Sequence, residues 1–554
     1  MSGKEMSIDN WSSETIAYTK KLVNIRSVSP GAGEIQAAEE VLSLLHADGL
    51  SDHYTSSGFD PIENDPHHRK NAFAFLKGQS TSTLVLLGHI DTVDTLDYGP
   101  LEPLSLDPEQ LTPHHTELAT TELEDEEDWL FGRGVVDMKS GVAANIAIMR
   151  RLARQSREKP FPLSIVILAV ADEENESAGV LQAVHFLTKL REQYGLNYLG
   201  TINTDYTTER YPGDPHRYVY TGTIGKLLPA FLCIGQESHV GSPFNGLDAN
   251  LLSAELIRDL SMNDELCDNL RSQVTPPPVT LHATDLKPSY DVQLPFMSYF
   301  YLNVMTFTTS PSELLSKLCA RAAHNLDGLL ARMDETEQRW RRSDGEGRQV
   351  ITPRSGEVYT YAALYSQTCE QLGKDVVEQE LAREWERWPA ELDKRERCLH
   401  LVRRLWKISG KQGPAVVIYY APPYYPHVEA TASLLRSAVT TVIDEHPELN
   451  LQQNEYYPYL SDLSYLHLQA DQNISALQTN LPIWQDAEQP YREGAYSLPL
   501  EEMRLLTMPV VNFGPYGHGA HQRSESVLKS YTFEHLPQLL FETIEHLAHL
   551  NAQQ

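Results

Sequence analysis

Cysteine is scarce. The five in 554 residues (Cys233, Cys267, Cys319, Cys369 and Cys398) are scattered, odd in number and form no Cys-x-x-Cys pair. The sequence therefore offers neither a disulfide framework nor a thiolate zinc site, and reduced thiols are expected. Long apolar runs are also absent: nothing approaches the roughly 18 uninterrupted apolar residues a bilayer span needs, and the start, MSGKEMSIDNWSSETI, lacks the basic-then-apolar order of a signal peptide. A cytoplasmic location is expected. Basic residues are the third shortage, 45 Lys and Arg against 76 Asp and Glu, for a formal charge of −31. Such a surface repels nucleic acid and anionic membranes, so neither is expected as a partner. Acidity of this kind serves solubility and names no ligand by itself.

What is present is an alternation of short aliphatic runs with helical periodicity. Helical spacing from Ser13 to Leu45 is broken by the turn signal SPGAG, and is followed by the runs NAFAFL (Asn71 to Leu76) and TLVLLGH (Thr83 to His89). A helix from about Ser140 to Gln155, the strand LSIVILAVA (Leu163 to Ala171) and the strand LGTINTDY (Leu199 to Tyr206) continue the rhythm. This predicts an α/β fold with a mainly parallel central sheet flanked by helices. Near Tyr211 the texture changes to strand, helix, strand, helix, the pattern of a small α+β domain. From about Glu335 to Lys411 the chain turns charged and helical and shows no chemistry. The strand GPAVVIYYAPPYY (Gly413 to Tyr425), a helix from His427 to Glu445, the strand MPVVNFGPYGHGAH (Met508 to His521) and a last helix from about Phe533 to Leu550 restore the α/β rhythm. The acidic stretch TELEDEEDW (Thr121 to Trp129) reads as a solvated loop.

Functional side chains of an α/β sheet gather where strands end at their carboxyl edge. Here several such ends carry metal-type ligands: His89 and Asp91 in GHID, Asp137 in GRGVVDMKSG, Asp172, Glu173 and Glu174 in AVADEE, and Asp205 in NTDY. Each alone is weak. A histidine after a strand is more often a hydrogen-bonded structural residue, a run such as DEE is usually a solvated turn or a helix N-terminus, and a lone Asp is usually a cap. Together they would crowd five or six carboxylates at one edge, an arrangement that raises pKa values by mutual repulsion unless a cation sits among them. Imidazole plus carboxylate, without thiolate, points to zinc, cobalt or manganese in a catalytic site.

In chain order, GHIDTV, FGRGVVDMKSG, the acidic pair of DEE and the closing GHGAHQRSES resemble the motifs of the zinc-dependent aminoacylase and carboxypeptidase family, peptidase family M twenty. In length, and in NTDYTTER and SDLSY (Ser461 to Tyr465), the chain looks most like that family's arginine-utilisation, RocB-type branch. The resemblance implies a zinc-exopeptidase-like catalytic domain from residues 1–210 and 413–554, an inserted α+β lid at 211–334 and, beyond the ordinary family plan, an extra helical segment at 335–412. It implies two divalent ions, most simply Zn2+, one held by His89, Asp137 and Asp205, the other by Asp137, Glu174 and His521, with Asp137 bridging. Of the two candidates for the last ligand, His518 and His521, the latter keeps the family's spacing to Glu525. Asp91 would orient His89, and Glu173 would be the general base. His239, in ESHVGSPFNGLDAN (Glu237 to Asn250), would hydrogen-bond the developing oxyanion. The lid implies a homodimer by the same resemblance.

One motif departs from the family. Where many members carry a lid arginine that grips a substrate carboxylate, this chain has NVMTFTTSP (Asn303 to Pro311), so that bidentate clamp is missing. The leading expectation is a metal-dependent hydrolase of amide bonds in N-acyl amino acids or small peptides, within amino-acid catabolism, that of arginine included. A dipeptidase or exopeptidase would share every metal residue, and a non-catalytic binding protein retaining the fold would have no need of Glu173.

Overall fold

The computed structural model describes residues 8–119, 126–271, 273–343, 354–469, 472–486 and 492–554. Most of the acidic stretch read as a solvated loop lies outside the described residues. The chain divides into two compact units, the first drawn from Met1–Ile224, Val428–Gln469 and Pro499–Gln554, the second from Gly225–His427 and Ala470–Leu498.

The first unit is built on an eight-stranded mixed sheet. In spatial order its strands are Ser56–Pro61, Lys70–Leu76, Ser164–Val170, Ser82–His89, Asn197–Asn203, Val510–Asn512, Arg217–Tyr220 and Leu451–Asn454. The four from Ser164–Val170 to Val510–Asn512 run parallel, while Lys70–Leu76 joins antiparallel and so does Ser56–Pro61 beyond it. Both Ser82–His89 and Ser164–Val170 are buried along almost their whole length, which is why they read as unbroken aliphatic runs rather than alternating ones.

The helix Ser140–Gln155 is buried on nearly every side and is rich in alanine. It approaches the sheet so closely at Gly141 that a Cβ there would lie 2.0 Å from the Thr204 carbonyl oxygen. That contact fixes the loop carrying Asp205 against the helix that follows Asp137. A single apolar cluster joins this helix to Ala37, Val41 and Leu45 of the helix Gly33–His46 and to Leu539, Leu540 and Ile544 of the helix Leu536–Ala552.

The second unit holds a five-stranded sheet in the order Val279–Asp285, Met297–Thr306, Gly225–Ile234, Ala415–Tyr425 and Glu357–Thr360. All pairs are antiparallel except the last. This redraws the expected boundaries in three places. The strand Arg217–Tyr220 belongs to the first unit's sheet rather than to a lid starting at residue 211. The strand Ala415–Tyr425 pairs with Gly225–Ile234 instead of returning to the eight-stranded sheet, and residues 470–498 join it in the second unit. The helical residues after 354 are part of this same unit, not a separate segment. The physical reason is that AVVIYYAPPYY is buried at every position, and an unbroken apolar run reports burial on both faces without reporting which sheet provides them.

Among the described residues no helix is long and apolar enough to cross a membrane.

Candidate metal centre

Three adjacent parallel strands end at the same edge of the eight-stranded sheet, so the residues just beyond them share one crevice. Ser82–His89 delivers His89, Ser164–Val170 runs into Asp172, Glu173 and Glu174, and Asn197–Asn203 leads to Asp205. A small three-stranded sheet supplies the rest. Ser526–Leu528 pairs with Trp129–Phe131 and Gly517–His518, which holds the segment bearing His521 and Glu525 against the loop bearing Asp137.

Asp137 sits between two imidazoles and turns one oxygen to each. Its Oδ1 lies 2.9 Å from His89 Nε2 and its Oδ2 3.1 Å from His521 Nε2. Glu174 Oε2 is 3.0 Å from the same His521 nitrogen, and ligand atoms of His89, Asp137 and Glu174 lie within 4.8 Å of one another. Glu173 is set slightly back, its Oε2 4.0 Å from His89 Nε2.

The electrostatics follow from crowding. Burial raises Glu173, which the neighbouring carboxylates Asp462, Glu174 and Asp205 push further against the pull of His89. Asp205 is pushed up to about 7 by burial and by Asp137. Burial opposes the charged form of Asp137 too, but the hydrogen bonds from His521 and His89 hold it well below the usual carboxylate range. Hydrogen bonds to Asp137 and Glu174 lift His521 to about 11. Buried carboxylates around two imidazoles form a donor set that divalent ions would neutralise, and its chemistry fits a pair of zinc-type ions.

Two flanking carboxylates organise this set. Asp91 Oδ2 accepts a hydrogen bond of 2.9 Å from the Glu174 amide. His89 Nδ1 faces the Asp91 backbone oxygen at 3.2 Å and its carboxylate at 3.6 Å. Asp91 thus fixes Glu174 by its side chain and His89 mainly by its main chain. Glu525 accepts from the amides of Gly134 (2.8 Å), Val136 (3.3 Å) and Asp137 (3.3 Å) and pairs with buried Arg133 at 2.8 Å. It holds the whole loop that presents Asp137.

Three other candidates have partners of their own. Asp172 is taken up by Arg69, a buried guanidinium that also binds Asp65 and Glu34, so the first residue of DEE anchors the turn. His518 stacks on Trp129, ring centroids 4.9 Å apart, and burial lowers its pKa. His239 is an exposed loop residue of the second unit whose Nδ1 accepts from the Gly241 amide at 3.0 Å.

One residue escaped the sequence reading. Asp462 opens the short helix Asp462–Leu466 and is buried, with Ser177 the one side chain that hydrogen-bonds toward it among the described residues. Burial raises it well above the usual range, and His89, Asp91 and Asp205 are close enough to act on it. Its signal was the segment SDLSY, noticed only as a likeness to one branch of a family.

The sheet and its edge cluster define a metal-dependent hydrolase of the α/β class. The chain matches Peptidase family M20/M25/M40 over residues 85–545 and belongs to that family; it is a hydrolase acting on peptide or amide bonds. It is 31% identical to Protein RocB of Bacillus subtilis over 96% of this chain and 94% of that one. It is 32% identical to the uncharacterized protein YqjN of the same organism over 97% of each. Among solved structures it resembles a tripeptidase from Staphylococcus aureus (TM-score 0.51, 11% identity, covering 97% and 99% of the two chains). It also resembles the dipeptidase Dug1p of Saccharomyces cerevisiae (TM-score 0.51, 11% identity, 98% and 97%). At these identities the two structures speak for the fold alone.

Proposed function

We propose that the protein cleaves the amide bond of N-acyl amino acids or small peptides with two zinc ions, using Glu173 as general base, and that it serves amino-acid breakdown, arginine included. The observation that carries this reading is Asp137 standing between His89 and His521, with Glu174 on the second histidine and Glu173 beside the first. His89, Asp137 and Asp205 would hold one ion, and Asp137, Glu174 and His521 the other. When bound, such ions supply Lewis acidity to the scissile carbonyl and make an attacking water more acidic.

The protein's own groups do the remainder. Glu173, whose pKa burial and its acidic neighbours raise, accepts a proton from water as the water oxygen bonds to the carbonyl carbon. It returns that proton to the departing nitrogen as the C–N bond breaks. Asp91 and Glu525 hold Glu174 and Asp137 in place. The oxyanion role that the resemblance implies for His239 is tested separately by His239→Ala.

The test is Glu173→Gln, assayed on acylated amino acids, including acylated arginine and ornithine, and on dipeptides. Metal binding is expected to survive while kcat falls by about 10²- to 10⁴-fold. Unchanged hydrolysis, or hydrolysis that persists after exhaustive chelation, would end this reading.

A further inference from the structure

The second unit contains a cavity of about 660 Å³ that shares no lining residue with the metal centre, within the range of roughly 300–1,000 Å³ typical of small-molecule sites. Its walls come from the helices Lys374–Trp385 and Lys394–Ser409, the turn between them, the start of the strand Met297–Thr306 and the chain after Ser409. The lining carries the cations Arg387, Arg403, Arg404, Lys407 and Lys411 against one carboxylate, Glu384.

The sequence builds this wall. His400, Arg403, Arg404 and Lys407 recur at helical spacing, so one face of the helix points four nitrogen-bearing side chains the same way. Two of the cations are already answered: Arg387 pairs with Glu384 at 3.1 Å and Arg404 with Glu380. Among the described residues Arg403, Lys407 and Lys411 have no carboxylate partner. Lys411 Nζ instead stands over the Tyr359 ring, 4.6 Å from its centroid. His400 stacks on Trp388 at 3.8 Å between ring centroids, and burial, with Arg403 beside it, lowers its pKa. Lysines near a helix C-terminus complement the helix dipole. That accounts for Lys407, but not for Arg403 a turn earlier or for a concavity floored by buried Trp406.

We propose that this cavity is a binding site for a small phosphate-bearing anion. Arginine forks and lysine point charges match phosphate oxygens, and the aromatic floor lowers the local polarity in which they act. The occupant is a small molecule because the chain carries −31 overall: an extended polyanion such as RNA would meet that repulsion along its length, whereas a compact one meets only the cationic pocket.

The test uses the full chain, kept metal-free with a chelator so that phosphate cannot act through the metal centre. Inorganic pyrophosphate is titrated by calorimetry and by thermal shift. Saturable binding with a rise in melting temperature is expected, weakened by about tenfold or more in the triple variant Arg403→Gln, Lys407→Gln, Lys411→Gln. It should be retained in Lys317→Gln, a surface cation outside the cavity. Should the triple variant prove unstable, Lys407→Glu alone, at an exposed position, is expected to give the same loss. No binding by the wild type, equal binding by the triple variant or by Lys407→Glu, or equal binding of citrate in place of pyrophosphate, would each overturn the proposal.

Discussion

Replacing Glu525 tests how the Asp137 loop is held. The Glu525 and Arg133 side chains are each only 1% exposed and pair at 2.8 Å, while the same carboxylate accepts from the amides of Gly134, Val136 and Asp137. Glu525→Ala removes the counter-charge of a buried guanidinium and the acceptor for those amides at once. Breaking a buried pair from one side costs about 3–5 kcal/mol. Arg133 keeps Asp97 at 2.8 Å and the Asp94 carbonyl at 3.0 Å, which places the expected loss near the lower end, about 3 kcal/mol. Glu525→Gln retains an oxygen for the amides and forfeits only the charge, a loss of about 1–2 kcal/mol.

Both variants are measured by denaturant unfolding of metal-free protein. Zinc titration should show affinity reduced by about 10- to 100-fold in the alanine variant, because Asp137 is no longer aimed. If Glu525→Ala lost the stability but bound zinc with wild-type affinity, the claim that this residue positions Asp137 would be refuted. If it lost neither, the buried pair would contribute nothing to the fold.

Asp91→Asn should weaken metal affinity by about 10-fold or more while the protein stays folded, since its carboxylate holds the Glu174 amide; wild-type affinity would return Asp91 to an ordinary strand-end residue. Without metal, Glu34, Asp205 and Glu525 are pushed up to about 8, 7 and 7, chiefly by burial. Between about pH 4 and 7 the folded chain therefore binds more protons than the unfolded one, and stability falls as pH rises. Melting temperature should drop across that window under chelation and recover with added zinc, whereas a rise under chelation would contradict the assignment. Asp462→Asn removes a fully buried carboxylate whose pKa burial raises against the pull of Ser177 and His89. It should stabilise the metal-free protein more at pH 8 than at pH 5, where protonating the native side chain costs less, and equal effects at both would show that burial does not raise its pKa.

Much of the centre could be read in the sequence because its parts are local. His89 ends a strand whose other residues are apolar or small, and Asp137 lies in a glycine-bracketed loop before a helix whose limits, Ser140–Gln155, matched expectation. Short-range periodicity carries that information, as it does for the parallel strands at the heart of the first sheet. Asp462 was not legible, since a buried aspartate and a solvated one look alike until the chain around them is packed. The same holds for Asp172, which reads as a ligand beside Glu173 and Glu174 and is instead bound by Arg69 from more than 100 residues away.

Residue type and spacing by themselves placed His89 and a set of carboxylates at strand ends, and the family resemblance added His521 to them. Tertiary structure alone decided the rest. It assigned the strand Ala415–Tyr425 to the second sheet, brought Asp462 to the neighbourhood of His89 and Asp205, and gathered Arg403, Lys407 and Lys411 around a cavity. The reason is physical. Periodicity along a chain fixes how each segment turns its faces, whereas which face meets which is settled by burial and charge between segments far apart in sequence.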